Sequence, residues 1–236
     1  MTAEEKDSNK QKLKRGILYI AFGEAFTREA LFSAESVKKN SPNIPTCIMT
    51  DRIDLAKESP YIDMNALITV DHVRVKVDYI SMSPFEETIY LDSDTCVVED
   101  ISDMFDMLEK YDICAIHDFA RKRKKYSDII PEYGKIPYGF SEVNGGVFVY
   151  KRNEKTRDFF NLWREKFYQY FEVTSGWDQI SLRIALWQSE VSLGILHMHA
   201  AKNDKPGKVK AIHTGNYDID SYEEFYNFCN QNKYEY

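Results

Sequence analysis

The sequence predicts an α/β fold in which helices flank a mostly parallel central sheet. Two observations indicate it: short apolar runs alternate with amphipathic stretches along the 236 residues, and polar side chains follow several of the apolar runs. Strands buried on both faces read as continuous apolar runs, which is typical of parallel sheets covered by helices. We expect a single domain over residues 16–236, preceded by a flexible, charged tail over residues 1–15.

The predicted strands are short apolar runs, and most are bounded by a glycine, a proline or a polar residue. Ligands bind such sheets beyond the carboxyl ends of the strands, so the residues that follow each strand are the first candidates for a site. The predicted strands cover residues 16–22, 46–50, 66–70, a run ending at residue 91, 113–116, a run that the turn-like residues 144–146 lead into, 191–196 and 209–212.

The predicted helices carry apolar residues at helical spacing. Thr27 is the expected N-cap of the first helix, because a threonine hydroxyl can accept a hydrogen bond from an unpaired helical N–H. Residues 131–140 are rich in glycine, proline and tyrosine and are expected to form a loop. The predicted helices cover residues 27–39, 73–82, 101–110, 153–170, 176–187 and 220–230.

The composition argues against several classes of protein. The formal net charge of −7 disfavours general nucleic-acid binding. The first residues are polar, and no apolar segment reaches the ~18–20 residues of a membrane span, so any membrane contact would be peripheral. The cysteines form no paired motif and are expected to be reduced thiols in a cytoplasmic protein. They are Cys47, Cys96, Cys114 and Cys229.

Residues 89–94, with the sequence IYLDSD, form the most informative segment, in which an apolar strand ends in two carboxylates. Residues i and i+2 of an extended chain point the same way, so Asp92 and Asp94 can converge on one point. Converging carboxylates repel each other unless a cation lies between them. Mg2+ and Mn2+ suit oxygen ligands of this kind. Taken alone, the segment is also typical of a solvated acidic turn.

Further polar features accompany this segment in a fixed order along the chain. Lys76 precedes Asp92 by 16 residues, and Arg74 lies beside it. Asp178 and Gln179 open a predicted helix next to Trp177, whose ring suits a sugar face or the core equally. The remaining features are Asn144-Gly145-Gly146 at a predicted strand and His213-Thr214-Gly215 after the last predicted strand.

In this order and at these spacings, the motifs resemble those of glycosyltransferases with the GT-A fold. The closest resemblance is to the glycogenin-like and bacterial galactosyltransferase-like enzymes of family 8. It covers most of residues 16–216, and its strongest element is residues 74–100. The resemblance implies a single GT-A domain that moves a sugar from a nucleotide-diphosphate donor, usually a UDP-sugar, to a hydroxyl of a carbohydrate or glycoconjugate acceptor. It also implies retention of the anomeric configuration.

The resemblance implies roles for individual residues. Asp92, Asp94 and His213 would hold Mn2+ or Mg2+, and the imidazole favours Mn2+. Asp178 and Gln179 would lie under the donor sugar near the reacting carbon. The other residues implied to contact the donor are Ala21, Phe22, Gly23, Arg74, Lys76, Ser93, Asn144, Gly145 and Gly215.

One departure from the family pattern leaves alternatives open. The Lys-Pro-Trp run that often follows the late histidine in the family is missing after His213, which puts close membership and the stereochemistry in doubt. An inverting enzyme with Asp178 as general base is one alternative, and a non-catalytic nucleotide-sugar-binding module is another. A sugar-phosphate nucleotidylyltransferase would need a glycine-rich basic loop, which residues 21–25 do not provide. The basic run 121–125 is either a solvated helix face or an acceptor-side loop that attracts an anionic substrate or a membrane surface.

Overall fold

The computed structural model describes residues 14–70, 72, 74–118 and 122–196, together with the backbone of residues 211–213. Within these ranges the chain forms the predicted α/β fold. Residues 1–13 of the predicted tail, the predicted helix over 220–230 and Gly215 lie outside the described residues. The predicted end of the tail at residue 15 is wrong, because Arg15 begins the first strand.

The described strands form a large sheet and a small ribbon. They are β1 (Arg15–Ala21), β2 (Thr46–Thr50), β3 (Met64–Leu67), β4 (Glu87–Leu91), β5 (Thr95–Val97), β6 (Ile113–His117), β7 (Val143–Lys151), β8 (Leu193–Leu196) and β9 (Ala211–His213). The sheet has seven strands in the order β3-β2-β1-β4-β7-β6-β8, and β5 pairs with β9 in the ribbon.

The large sheet is parallel except at β7, which runs antiparallel to both β4 and β6. The other six strands therefore end at the same edge, which we call the carboxyl edge, and begin at the opposite amino edge. The prediction that residues 144–146 form a turn before a strand is wrong. They lie inside β7, where the carbonyl of Gly146 accepts a hydrogen bond from the Asp92 N–H at 2.8 Å. β7 thus runs directly beside the end of β4.

Eight α-helices and two 3-10 segments are described. They are α1 (Glu24–Asn40), α2 (Ile53–Glu58), α3 (Lys76–Tyr79), α4 (Lys124–Ile129), α5 (Pro131–Lys135), α6 (Glu154–Gln169), α7 (Phe171–Thr174) and α8 (Gln179–Gln188), with the 3-10 segments Ile80–Met82 and Ser102–Glu109.

Several predicted boundaries and types are corrected. α1 begins three residues before the predicted N-cap Thr27, whose hydroxyl instead donates back to the Gly23 carbonyl at 2.8 Å. The predicted helix over 73–82 is reduced to one α-helical turn followed by a 3-10 turn, and that over 101–110 is 3-10 throughout. The predicted loop over 131–140 begins with α5, because Pro131 fits the first helical turn, where no N–H is needed.

Two hydrophobic cores lie on the two faces of the sheet, and a third cluster lies apart from them. β1 shows the alternation: Ile17 and Tyr19 belong to one core, and Leu18 and Ile20 to the other. The third cluster packs α4 and α5 against α8 through Tyr126, Ile130, Tyr133, Ile136, Ile180 and Ile184. The described cysteines, Cys47, Cys96 and Cys114, are buried free thiols. None of the helices described is both long and apolar enough to cross a membrane.

Candidate active site

A buried lysine joins two of the predicted carboxylates at the carboxyl edge. Nζ of Lys76 lies 3.0 and 3.1 Å from the two carboxylate oxygens of Asp92 and 3.4 Å from Oδ2 of Asp178. The lysine side chain is only 7% exposed, and a charge at that depth is costly unless it is paired. Burial lowers the pKa of Lys76, but attraction to Asp92 and Asp178 outweighs burial, so the pKa is raised. The charged ammonium therefore links β4 to the start of α8.

A glycine of β7 lies directly against this ammonium. Lys76 also donates to the carbonyl oxygen of Gly145 in β7 at 2.9 Å. A Cβ atom at position 145 would lie 3.4 Å from the Lys76 ammonium and 3.6 Å from Oδ2 of Asp178. Arg74 approaches from the other side, with Nε 3.7 Å from Oδ1 of Asp178. Two cations thus face the two oxygens of Asp178.

Asp92 is held by a tyrosine that the sequence analysis missed. The hydroxyl of Tyr90 donates to Oδ1 of Asp92 at 2.6 Å. Burial and the negative charge of Asp92 raise the pKa of Tyr90 well above its ordinary value, so the tyrosine stays a proton donor. The signal was present in the sequence, because residues 90 and 92 of an extended strand point to the same side.

The residues after Asp92 have different surroundings. The hydroxyl of Ser93 donates to Oε2 of Glu29 on α1 at 3.0 Å, so Ser93 is turned toward that helix. Asp94 is largely buried, at 8% exposed, and β5 begins directly after it. Thr95 in β5 pairs with His213 in β9, which brings the backbone of His213 next to the acidic segment. The side chain of His213 lies outside the described part of the chain, and the residues that are described contain no cluster of three metal-ligating side chains.

The end of β1 carries three of the residues that the resemblance implies contact the nucleotide-sugar donor. β1 is the parallel neighbour of β4, so Ala21, Phe22 and Gly23 lie at the same edge as Asp92. Phe22 is partly buried and packs against one of the two cores. Gly23 has a φ of 86°, a left-handed conformation that glycine adopts readily, and its N–H donates to Oδ1 of Asp51 at 2.7 Å.

Gln179 and Asn144 are held by main-chain contacts. Nε2 of Gln179 donates to the carbonyl of Val143 and lies 3.5 Å from Oδ2 of Asp118. Oδ1 of Asn144 accepts from the N–H of Gly146 at 2.7 Å. Asp118 follows β6, as Asp92 follows β4, so an aspartate after a buried strand was a signal that the sequence analysis did not use.

Comparison with known proteins gives a fold and no sequence family. No protein-family model and no curated protein matches the sequence. The structure is similar to that of the galactosyltransferase LgtC in complex with donor and acceptor sugar analogs, with 14% identity and a TM-score of 0.62. An active-site mutant of LgtC gives 17% identity and a TM-score of 0.63. Both comparisons cover 92% of this chain and 95% of LgtC.

Two larger glycosyltransferases share the fold over part of their length. The bifunctional glycosyltransferase WbbM is 11% identical with a TM-score of 0.60, over 92% of this chain and 49% of WbbM. GlyE of Streptococcus pneumoniae is 15% identical with a TM-score of 0.52, over 78% of this chain and 45% of GlyE. These similarities confirm the predicted glycosyltransferase fold of the GT-A type.

Proposed function

We propose that this protein is a metal-dependent glycosyltransferase that moves a sugar from a nucleotide-diphosphate donor to a hydroxyl of an acceptor. One observation carries the proposal: Lys76, Asp92, Gly145 and Asp178, from four separate segments, meet around one buried ammonium at the carboxyl edge. Ligands of open α/β sheets bind at this edge. The fold is also that of LgtC, whose structure was determined with donor and acceptor sugar analogs.

The candidate metal ligands are of the kind that bind a divalent cation. Asp92 and Asp94 supply hard carboxylate oxygens at the end of β4, and the pairing of β5 with β9 brings His213 into the same neighbourhood. Two carboxylates and an imidazole suit Mn2+ better than Mg2+. When bound, the ion would stabilise negative charge on a diphosphate.

The residues of the chain have complementary tasks in this reaction. The bond between the anomeric carbon and the diphosphate breaks, and the acceptor oxygen forms the new glycosidic bond. The diphosphate leaves with the electron pair and takes the proton of the acceptor hydroxyl. Arg74 and Lys76 attract the negative leaving group, and Asp178 stabilises the positive charge that develops on the sugar.

The surroundings of Asp178 favour retention over inversion. A general base must accept a proton, whereas both oxygens of Asp178 face cations at 3.4 and 3.7 Å. An oxygen that already faces a cation is poorly placed to take a proton from an acceptor hydroxyl. We therefore propose that the donor configuration is retained, with Asp178 as general base of an inverting enzyme as the second choice.

The connection after β1 disfavours the nucleotidylyltransferase alternative. β1 ends at Ala21 and α1 begins at Glu24, so only Phe22 and Gly23 connect them. Two residues leave no room for a glycine-rich basic loop that would wrap a triphosphate. The alternative of a non-catalytic binding module is tested by measuring whether the protein turns over a nucleotide sugar.

Nucleotide release separates the three functions. The protein is incubated with a panel of nucleotide sugars, with Mn2+ or with EDTA, and free nucleoside diphosphate is measured. We expect release only with the metal, and a His213→Ala variant should need a higher Mn2+ concentration. Pyrophosphate release from a nucleoside triphosphate and a sugar phosphate would replace the proposal with a nucleotidylyltransferase. Donor binding without any release would indicate a binding module.

A further inference from the structure

We propose that Arg123, stacked on Trp177, forms the binding site for an anionic group of the acceptor, so that the acceptor is a sugar carrying a phosphate or a carboxylate. The inference rests on the proposed function only in calling this ligand the acceptor. The site is built on the segment 122–136, which contains α4 and α5 and packs on α8 through the third hydrophobic cluster.

The guanidinium of Arg123 is exposed and stacked at the same time. Its Cζ lies 4.3 Å from the centre of the Trp177 ring. Stacking occupies the flat face of a guanidinium and leaves the N–H groups in its plane able to bind. Among the ion pairs of the described residues, none involves Arg123, Lys124 or Lys125. A planar fork of donors matches the two oxygens of a carboxylate or a phosphate.

Arg123 is also fixed through its backbone. Its N–H donates to the hydroxyl of Tyr133, which is fully buried. Its neighbour Lys122 donates to the carbonyls of Gly134 and Ile136 at 2.5 and 2.6 Å, which ties the start of the segment to its end. Lys122 is therefore structural, whereas Arg123 is held in place with its charge facing outward. A side chain ordered in advance loses less entropy when a ligand binds.

An unusual turn places Trp177 beneath the arginine. Ser175 and Gly176 have φ values of 53° and 70°, two consecutive residues in the left-handed region. Such a conformation is unfavourable for serine and persists where the surrounding structure requires it. A Cβ at Gly176 would also lie 3.1 Å from the ring of Phe171. The turn leads directly into Trp177 and then into Asp178.

The position of the pair fits an acceptor site. Trp177 immediately precedes Asp178, whose carboxylate faces Arg74 and Lys76 on the donor side. The contact with Trp177 therefore places Arg123 beside the segment that carries Asp178.

The local charge favours anions although the whole chain is acidic. Residues 122–125 read Lys-Arg-Lys-Lys in a chain of net charge −7. Glu142, next to the segment, pairs with Arg183 at 2.9 Å, and Glu132, within the segment, pairs with Lys166 at 3.0 Å. A cluster of exposed cations at the rim of a site raises the local concentration of anionic ligands.

Direct binding tests the proposal without turnover. Calorimetric titrations of the full chain compare glucose 6-phosphate and glucuronate with neutral glucose, with and without UDP and Mn2+. We expect both anionic sugars to bind at least about tenfold more tightly than glucose, as a charged hydrogen-bonded pair allows. Arg123→Ala should reduce that preference to less than about twofold, and Arg123→Lys should keep part of it because a point charge remains. Arg157→Ala, which removes an exposed arginine near the start of α6 at the amino edge, is the matched control and should keep the full preference.

The outcomes separate this proposal from the proposed function. Loss of the preference in Arg123→Ala alone supports the anion site even if no nucleotide is ever released. Equal binding of charged and neutral sugars by the wild type overturns it, as does an undiminished preference in Arg123→Ala. A third result would overturn it in favour of a membrane surface: the chain sediments with phosphatidylglycerol vesicles in an Arg123-dependent manner but does not discriminate among the free sugars.

Discussion

The two edges of the central sheet each hold a carboxylate network, and the networks are built differently. At the amino edge, Asp112 accepts from Nδ2 of Asn153 at 2.8 Å and from the N–H and hydroxyl of Ser192 at 3.0 and 2.8 Å. Nζ of Lys151 lies farther away, at 3.5 Å. These neutral donors join the beginnings of β6 and β8 to the N-cap of α6, so Asp112 holds three elements together.

At the carboxyl edge, Asp92 and Asp178 instead share one buried lysine, with Tyr90 as a further partner of Asp92 and Arg74 as a further partner of Asp178. A lysine is a point charge on a flexible stem, and it can change partners when a charged ligand arrives. The fixed neutral donors of Asp112 cannot do so. The comparison teaches that the kind of donor, more than burial, distinguishes a structural carboxylate from a candidate functional one.

Asp92→Asn should have the largest effect and tests the functional half of the comparison. We expect nucleotide release to fall about 10³-fold, or about 4 kcal/mol of transition-state stabilisation, because charge is lost at the proposed metal site and beside Lys76. The matched variant is Asp112→Asn at the amino edge, whose specific activity should stay close to that of the wild type while it is folded. Equal losses of activity in the two variants would contradict the distinction between the edges.

Lys76→Met and Lys151→Met compare how much the lysine at each edge of the sheet stabilises the fold. Removing a buried cation leaves Asp178, at 4% exposed, with less compensation, so we expect the free energy of unfolding to fall by about 3 kcal/mol. Lys151→Met removes a partly exposed cation from Asp112 and should cost less than about 1 kcal/mol. Urea denaturation measures both, and a smaller loss for Lys76→Met than for Lys151→Met would show that the carboxyl edge does not depend on its lysine.

Asp178→Asn addresses the reaction itself. If Asp178 stabilises the sugar cation, kcat should fall about 100-fold, while the affinity for the donor changes little, because the interaction is made mainly in the transition state. The same fall would follow for a general base, so the variant is paired with NMR of the first product formed by the wild type. We expect the anomeric configuration of the donor to be retained, and an inverted product would assign Asp178 to base catalysis.

Much of the fold could be predicted because its signals are local. Apolar runs bounded by polar residues indicated the strands, and the amphipathic residues 153–170 indicated α6, which the structure shows to be capped by Asn153. The antiparallel course of β7 could not be predicted, because an apolar run does not encode the direction of its neighbours. Likewise, the glycines at 145 and 146 suggested a turn, whereas both lie inside β7, where the carbonyl of Gly145 accepts a hydrogen bond from Lys76.

The sequence predicted which residues belong to the candidate site better than it predicted how they contact one another. The resemblance to family 8 implied that Lys76, Asp92 and Asp178 belong together, but the pairing of Lys76 with both carboxylates is a tertiary contact. The basic run shows the same limit. Its composition could not separate Lys122, which binds two carbonyls, from Arg123, which stacks on Trp177.

The smallest expected effect concerns pH and the structural half of the comparison. Burial would raise the pKa of Asp112, but hydrogen bonds from Ser192 and Asn153, together with Lys151, outweigh it and lower the pKa from 3.8 to about 2. A lowered pKa in the folded state adds stability that is fully present above pH 3.8 and is lost as the pH falls toward 2. Lowering the pKa of Asp112 by nearly 2 corresponds to a contribution of about 2 kcal/mol to the free energy of unfolding.

Other carboxyls titrate in the same range, so the prediction is measured as a difference. Burial raises the pKa of Glu142, which changes stability with the opposite sign and would mask Asp112 in the wild type alone. The free energy of unfolding of the wild type minus that of Asp112→Asn removes the shared groups. That difference should shrink by about 2 kcal/mol between pH 5 and pH 2, because the asparagine does not titrate. A difference that stays constant over this interval would mean that the hydrogen bonds of Asp112 do not depend on its charge, and the amino edge would then need another explanation.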